Sequence, residues 1–244
     1  MKNNTIAITY LGHSGFLLEL DNIYCLFDYY IGQIPTLNPQ KDVCIFVSHA
    51  HGDHYNRDIW HIRKSHPTVK YIVSKDIPLS ASQIKRLELT DLNEDNLLRV
   101  KANEKYRISS DLTVETLLST DEGVAFIINY REQSFFHAGD LNLWTWASDD
   151  EEKNQDRYNR FMIEMNKIKD MKFDAAFFPL DPRQEDDCGN GLRIFNQMTA
   201  TEMLIPMHFW GKFETISSFM DKYPNECMNM IMLESEGQEI KKID

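Results

Sequence analysis

Apolar positions in the first third of the chain fall in short runs separated by polar turns. Residues 5–11 and 16–20 read as strands joined by the turn Gly12-His13-Ser14-Gly15, and Asp21-Asn22 turns the chain into a third run at 23–28. Residues 29–42 contain Pro35 and Pro39 and read as a loop. The run 43–47 is wholly apolar, which predicts a strand buried on both faces. The spacing then predicts a helix over 56–64, a strand over 69–73 and a helical start at 78–89 with Pro78 in its first turn. Between 96 and 137 the pattern is all strand, with runs around Val100 and at 106–108, 112–118, 124–130 and 134–137. Residues 149–170 begin acidic and end lysine-rich, which suits a helix dipole. Phe161, Ile163, Met165, Ile168 and Met171 give that helix an imperfect apolar face. Strand is expected at 174–180, a loop at 181–191, helix at 192–201, strand at 203–207, helix at 213–222 and strand at 229–233. Strands first, then helix and strand alternating, fit a layered α/β sandwich with no short-period repeat, read as one domain over residues 1–244.

Composition narrows the class. Hydrophobic residues at 42% supply a substantial core, and 26% charged residues are ordinary for a globular protein. The net charge of -12, with no basic stripe, argues against a free nucleic-acid binder and points to a small-molecule substrate. No basic segment followed by an apolar core opens the chain, and no apolar run is long enough to span a bilayer, so a cytoplasmic location without membrane partners is expected. Cys25, Cys44, Cys188 and Cys227 are dispersed and are read as reduced thiols. Neither composition nor pattern fixes an oligomeric state.

The run at 43–47 ends in Ser48-His49-Ala50-His51-Gly52-Asp53-His54. Three imidazoles and a carboxylate thus follow a buried strand within six residues. Imidazole nitrogen and carboxylate oxygen are transition-metal ligands, whereas packing alone has no need of them here. In an extended segment His49, His51 and Asp53 project to one side and His54 to another, so the set can divide between two metals. The bland alternative is a solvated polar loop.

This HxHxDH spacing resembles the metal motif of the metallo-β-lactamase-fold hydrolases. Tyr10-Leu11-Gly12-His13-Ser14-Gly15-Phe16 resembles the opening hairpin of that superfamily, His137-Ala138-Gly139-Asp140 its strand-end aspartate, and Leu204-Ile205-Pro206-Met207-His208-Phe209 its last histidine. The ascorbate-6-phosphate lactonase-like branch is the nearest in pattern. The resemblance implies a four-layer αβ/βα sandwich and a metal-dependent hydrolase holding one or two Zn2+ ions, with Mn2+ or Fe2+ as alternatives. His49 and His51 would serve the first metal, Asp53, His54 and His208 the second, with Asp140 bridging. Asp53 would also orient an attacking hydroxide on a small ester, lactone or phosphate ester.

One landmark is missing. Where relatives carry a third histidine for the first metal, this chain reads Leu118-Ser119-Thr120-Asp121-Glu122-Gly123. Asp121 either supplies an oxygen ligand or is the turn residue before Gly123. His137 and His13 are read either as neighbours of the ligands or as packing residues, and His61 and His66 as surface residues. Trp144 either walls a substrate site or packs in the core. Arg183 either holds an anionic group or closes a turn with Asp181. The rival functions are a phosphodiesterase or nuclease of the same fold and a non-catalytic metal-binding relative.

Overall fold

The computed structural model describes residues 5–242, which fall into two compact units, one spanning residues up to 101 together with 235 onward, the other residues 102–234. The first unit contains β1 (Ile6–Gly12), β2 (Gly15–Glu19), β3 (Ile23–Phe27), β4 (Asp42–Val47), β5 (Lys70–Ser74) and β6 (Leu97–Val100). β1, β2 and β3 form an antiparallel meander, and β4, β5 and β6 add in parallel to β3. A further strand, Glu239–Lys242, pairs antiparallel with β1, placing Lys242 opposite Ile6. Its pattern of exposed and half-buried residues carries too little apolar character to be read as a strand from sequence.

β4 is buried along five of its six residues, as expected of a parallel strand covered on both faces. Trp60 and Tyr71 pack against it within a core that includes Leu26, Ile45, Val47, Ile59 and Val73. The expected helix at 56–64 is a 3-10 helix, Arg57–Lys64, whose N-cap Asn56 accepts from the Asp58 amide. α1 (Ala81–Arg86) starts at a Ser80–Gln83 capping box, so Pro78 lies before the helix rather than in its first turn.

The second unit contains β7 (Lys105–Arg107), β8 (Leu112–Leu118), β9 (Val124–Tyr130), β10 (Gln133–His137), α2 (Glu151–Lys167), β11 (Lys172–Pro179), α3 (Asn190–Met198), β12 (Ala200–Met207) and α4 (Glu214–Lys222). Its six-stranded sheet runs β12-β11-β10-β9-β8-β7. Again an antiparallel meander, β8 to β10, feeds parallel strands, here β11 and β12. Phe136, Phe178 and Phe195 stack with centroids 4.7–6.4 Å apart and tie α3 to the sheet. Two expectations change. The loop 181–191 contains a 3-10 helix, Pro182–Asp187, started by the Asp181 cap. The expected strand 229–233 reduces to a single bridge, Leu204 to Met230. Among the described residues no helix is long and apolar enough to cross a membrane.

Candidate metal centre

In the first unit the chain turns directly after β4 instead of staying extended. The amides of His54 and Tyr55 both donate to the His51 carbonyl, at 3.1 and 3.0 Å. This corrects the expected alternation: Asp53 turns away from His49 and His51 and joins His54. One potential ligand atom from each of Asp53, His54 and His13 lies within 4.8 Å of the others. His13 reaches this position from the opening turn, where its φ is +52° and its Nε2 lies 3.3 Å from Asp53 Oδ2. His49 Nε2 and His51 Nδ1 are 3.0 Å apart.

Behind these donors lies a carboxylate that the motif did not reveal. Asp28 directly follows β3, is fully buried, and has a φ of +38°. It accepts from the Ser48 amide at 2.7 Å, the Ser48 hydroxyl at 2.6 Å and His54 Nδ1 at 2.8 Å. The Ser48 hydroxyl is 2.9 Å from His49 Nδ1. A carboxylate only accepts, so the Ser48 proton points at Asp28 and the protons of His49 and His54 sit on Nδ1. Both histidines therefore keep Nε2 as the nitrogen with a lone pair, the arrangement that orients metal-binding imidazoles. Burial disfavours ionised Asp53, but the hydrogen bond from His13 and the nearby His54 and His13 outweigh it and hold the carboxyl below the usual range.

The second unit repeats the device. Asp140 follows Gly139, whose φ of +53° suits a residue lacking Cβ. The turn is pinned on three sides. The Gly139 amide donates to His137 Nδ1 at 3.2 Å, the Trp144 indole donates to the Asp140 carbonyl at 2.8 Å, and the Asn142 amide donates to the Thr120 hydroxyl at 3.0 Å. His208, just beyond β12, places Nε2 3.4 Å from Asp140 Oδ1. Its Nδ1 lies 3.0 Å from Asp181, a fully buried carboxylate just beyond β11. Burial again opposes ionised Asp181, and hydrogen bonds from His208 and Arg183 outweigh it and hold the carboxyl below the usual range.

The remaining sequence candidates separate. Arg183 takes the turn role: its Nε lies 2.9 and 3.0 Å from the two Asp181 oxygens, and its guanidinium lies 4.6 Å from the centre of the Trp210 ring. Asp121 is exposed in the turn before Gly123, with its amide donating to Ser119 Oγ at 3.2 Å, and it joins none of the histidine–carboxylate groups among the described residues. This is the position that the turn reading of Asp121 expects. His137 is buried within the Asp140 turn. His61 is exposed as expected, but His66 is buried, with Nδ1 3.0 Å from Ser65 Oγ.

The donors in both units are imidazole nitrogens and carboxylate oxygens, with no thiolate among them, a set that fits a borderline transition ion such as zinc. The family model described as beta-lactamase superfamily domain matches residues 24–209, about three quarters of the chain. The chain belongs to the beta-lactamase superfamily. Relatives of this superfamily member include a UPF0173 metal-dependent hydrolase of Alkaliphilus metalliredigens, 24% identical over 231 residues covering 91% of this chain and 92% of the relative. Among solved structures, Igni18, a metallo hydrolase from Ignicoccus hospitalis, matches with a TM-score of 0.65 at 18% identity, covering 98% of each chain. The metallo-beta-lactamase fold protein YhfI from Bacillus subtilis matches at 0.57 and 12% identity, covering 98% of this chain and all of YhfI. The expected α/β fold class is borne out by two mixed sheets with helices and by these neighbours.

Proposed function

We propose that this superfamily member is a metal-dependent hydrolase acting on a small ester, lactone or phosphate ester. The carrying observation is that each unit holds a histidine by Nδ1 on a buried strand-end carboxylate, Asp28 for His54 and Asp181 for His208. A buried imidazole N–H needs an acceptor in any case; the same histidine–carboxylate device at two strand ends is what points to ligands. The curated relatives' names as metal-dependent hydrolases support the same reading. The donors this reading uses for a metal ion would be His49, His51, Asp53 and His54 in the first unit and Asp140 and His208 in the second. When bound, such an ion supplies Lewis acidity and lowers the pKa of water to about 7. Asp53, held ionised, would accept a hydrogen bond from the nucleophile and orient it. Asp28 and Asp181 fix imidazole orientation, and Trp144 fixes the Asp140 turn. With Asp121 exposed in its turn, His49 and His51 would hold an ion more weakly than Asp53 and His54 would.

The test is elemental analysis of wild type and of the His54→Ala, His208→Ala double variant, with a panel of lactone, ester and phosphate-ester substrates. The expected result is bound metal and turnover in wild type, and a folded double variant that has lost most of both. Stoichiometric metal in the folded double variant contradicts the assignment, and metal binding without turnover on any panel member contradicts the hydrolase.

A further inference from the structure

Three of the chain's four tryptophans belong to the surroundings of one histidine. The Trp144 and Trp210 rings lie 5.6 and 5.5 Å from His208, both tilted steeply to its plane, and Trp146 stacks on Trp144 at 6.2 Å with planes 7° apart. Trp144 is buried, and its indole donates to the Asp140 carbonyl, which accounts for it structurally. Trp210 is different: it is 42% exposed although it is large and apolar.

Its backbone is also strained. The φ of Trp210 is +56°, that of His208 is +64°, and Gly211 follows at +69°. A bulky side chain in the left-handed region is strained and persists only where its surroundings impose it. Here they do. The Arg183 guanidinium packs on the indole at 4.6 Å, and the indole Nε1 reaches Asp181 Oδ2 at 3.4 Å. The carboxylate that orients His208 thus also anchors Trp210 and Arg183. An exposed indole of no use would not need two anchors and an unfavourable backbone.

We infer that Trp210 is a specificity-determining residue, presenting an indole surface beside His208 to a flat, unsaturated portion of the substrate. This rests on the reading of His208 as part of the reaction site and adds the substrate class: esters or lactones with a planar aromatic or conjugated acyl group, in preference to saturated ones of the same size. The cation nearest the indole is already paired with Asp181, so stacking rather than charge is the recognition term. Aromatic pairing of this kind is worth about threefold to tenfold in affinity.

The test is binding of 2-naphthoate and of its saturated analogue decahydro-2-naphthoate to the full-length, zinc-loaded protein, measured by ligand-observed NMR titration. Wild type should prefer the flat acid. Trp210→Ala should weaken 2-naphthoate binding about threefold to tenfold and bring the two acids together, while Trp210→Phe should keep most of the preference and guards against a folding defect in the alanine variant. Equal loss for both acids, an unchanged preference in Trp210→Ala, or no preference in wild type would overturn the inference. A Trp210-dependent preference in a protein that hydrolyses nothing on the substrate panel would uphold this inference while refuting the hydrolase.

Discussion

Replacing Asp28 by asparagine isolates the charge and proton logic of the centre from its shape. Asparagine matches the size of aspartate and tolerates a φ of +38°, so the backbone has no reason to move. Its polarity is another matter. If the amide oxygen keeps the Ser48 amide, 2.7 Å away in wild type, the NH2 faces His54 Nδ1 and the Ser48 hydroxyl, at 2.8 and 2.6 Å. His54 must then accept on Nδ1 and carry its proton on Nε2. The Ser48 hydroxyl, now an acceptor from the amide, turns its own proton on His49 Nδ1 and drives that histidine to the same tautomer. Both outward nitrogens lose their lone pairs. The flipped amide spares the histidines but sets NH2 against the Ser48 amide, a buried donor–donor contact costing about 1–3 kcal/mol. Losing a carboxylate behind a ligand typically costs 10- to 100-fold in metal affinity, or about 1.4–2.8 kcal/mol. Competition against a chromogenic zinc chelator reads that loss directly, and a thermal melt of metal-free protein separates it from instability. Ser48→Ala, which breaks only the relay to His49, should cost less. An Asp28→Asn protein that binds zinc within twofold of wild type and melts at the same temperature would refute the argument.

Three further outcomes are expected. Asp121→Ala should leave zinc stoichiometry and chelator competition unchanged, because the carboxylate stands exposed in a turn; loss of one ion on substitution would restore its ligand role. Burial, with the Asp181 charge adding to it, pushes the Cys188 thiol up to about 12, so iodoacetamide at pH 8 should modify Cys188 far more slowly in the folded protein than in urea. The same shift means that stability held below pH ~8.5 is lost as pH rises toward 12, since the unfolded thiol ionises first; equal alkylation rates in both states would contradict both statements. Gly189→Ala should destabilise by about 2–4 kcal/mol, because φ is +79° and the added Cβ would lie 2.2 Å from the Phe219 ring; an unchanged urea midpoint would disprove the close packing.

What the sequence disclosed divides by range. β4, the HxHxDH turn, the Gly139–Asp140 turn and the strand before His208 are local patterns, and each lies where its pattern predicts. The carboxylates behind the histidines are pairings across 26 and 27 positions, which periodicity does not record. A faint signal exists: Leu26-Phe27-Asp28 and Pro179-Leu180-Asp181 both end an apolar strand in an aspartate, as Ala138-Gly139-Asp140 does. The turn within the HxHxDH segment leaves no mark on the alternation, which ends with its strand, where the His51 carbonyl captures two amides. For His13 the sequence leaves open a place beside the ligands or a packing role, because the fold alone brings it to Asp53. Residues 229–233 are apolar enough for a strand, yet they follow the Arg193–Glu226 and Asn196–Asn229 contacts and pair at one point only.

The pairing of Glu239–Lys242 with β1 also sets an order of events in the cell. A ribosome delivers β1 well before its outer partner, with the whole of residues 102–234 made in between. At about 5–20 residues per second, that interval lasts roughly ten seconds or more. Throughout it, one edge of the first sheet has its backbone amides and carbonyls open to any passing strand, while the second unit, continuous in sequence, has all of its own partners to hand. The late strand closes that edge with Glu239, Lys241 and Lys242, charges that discourage a further strand from adding beyond it.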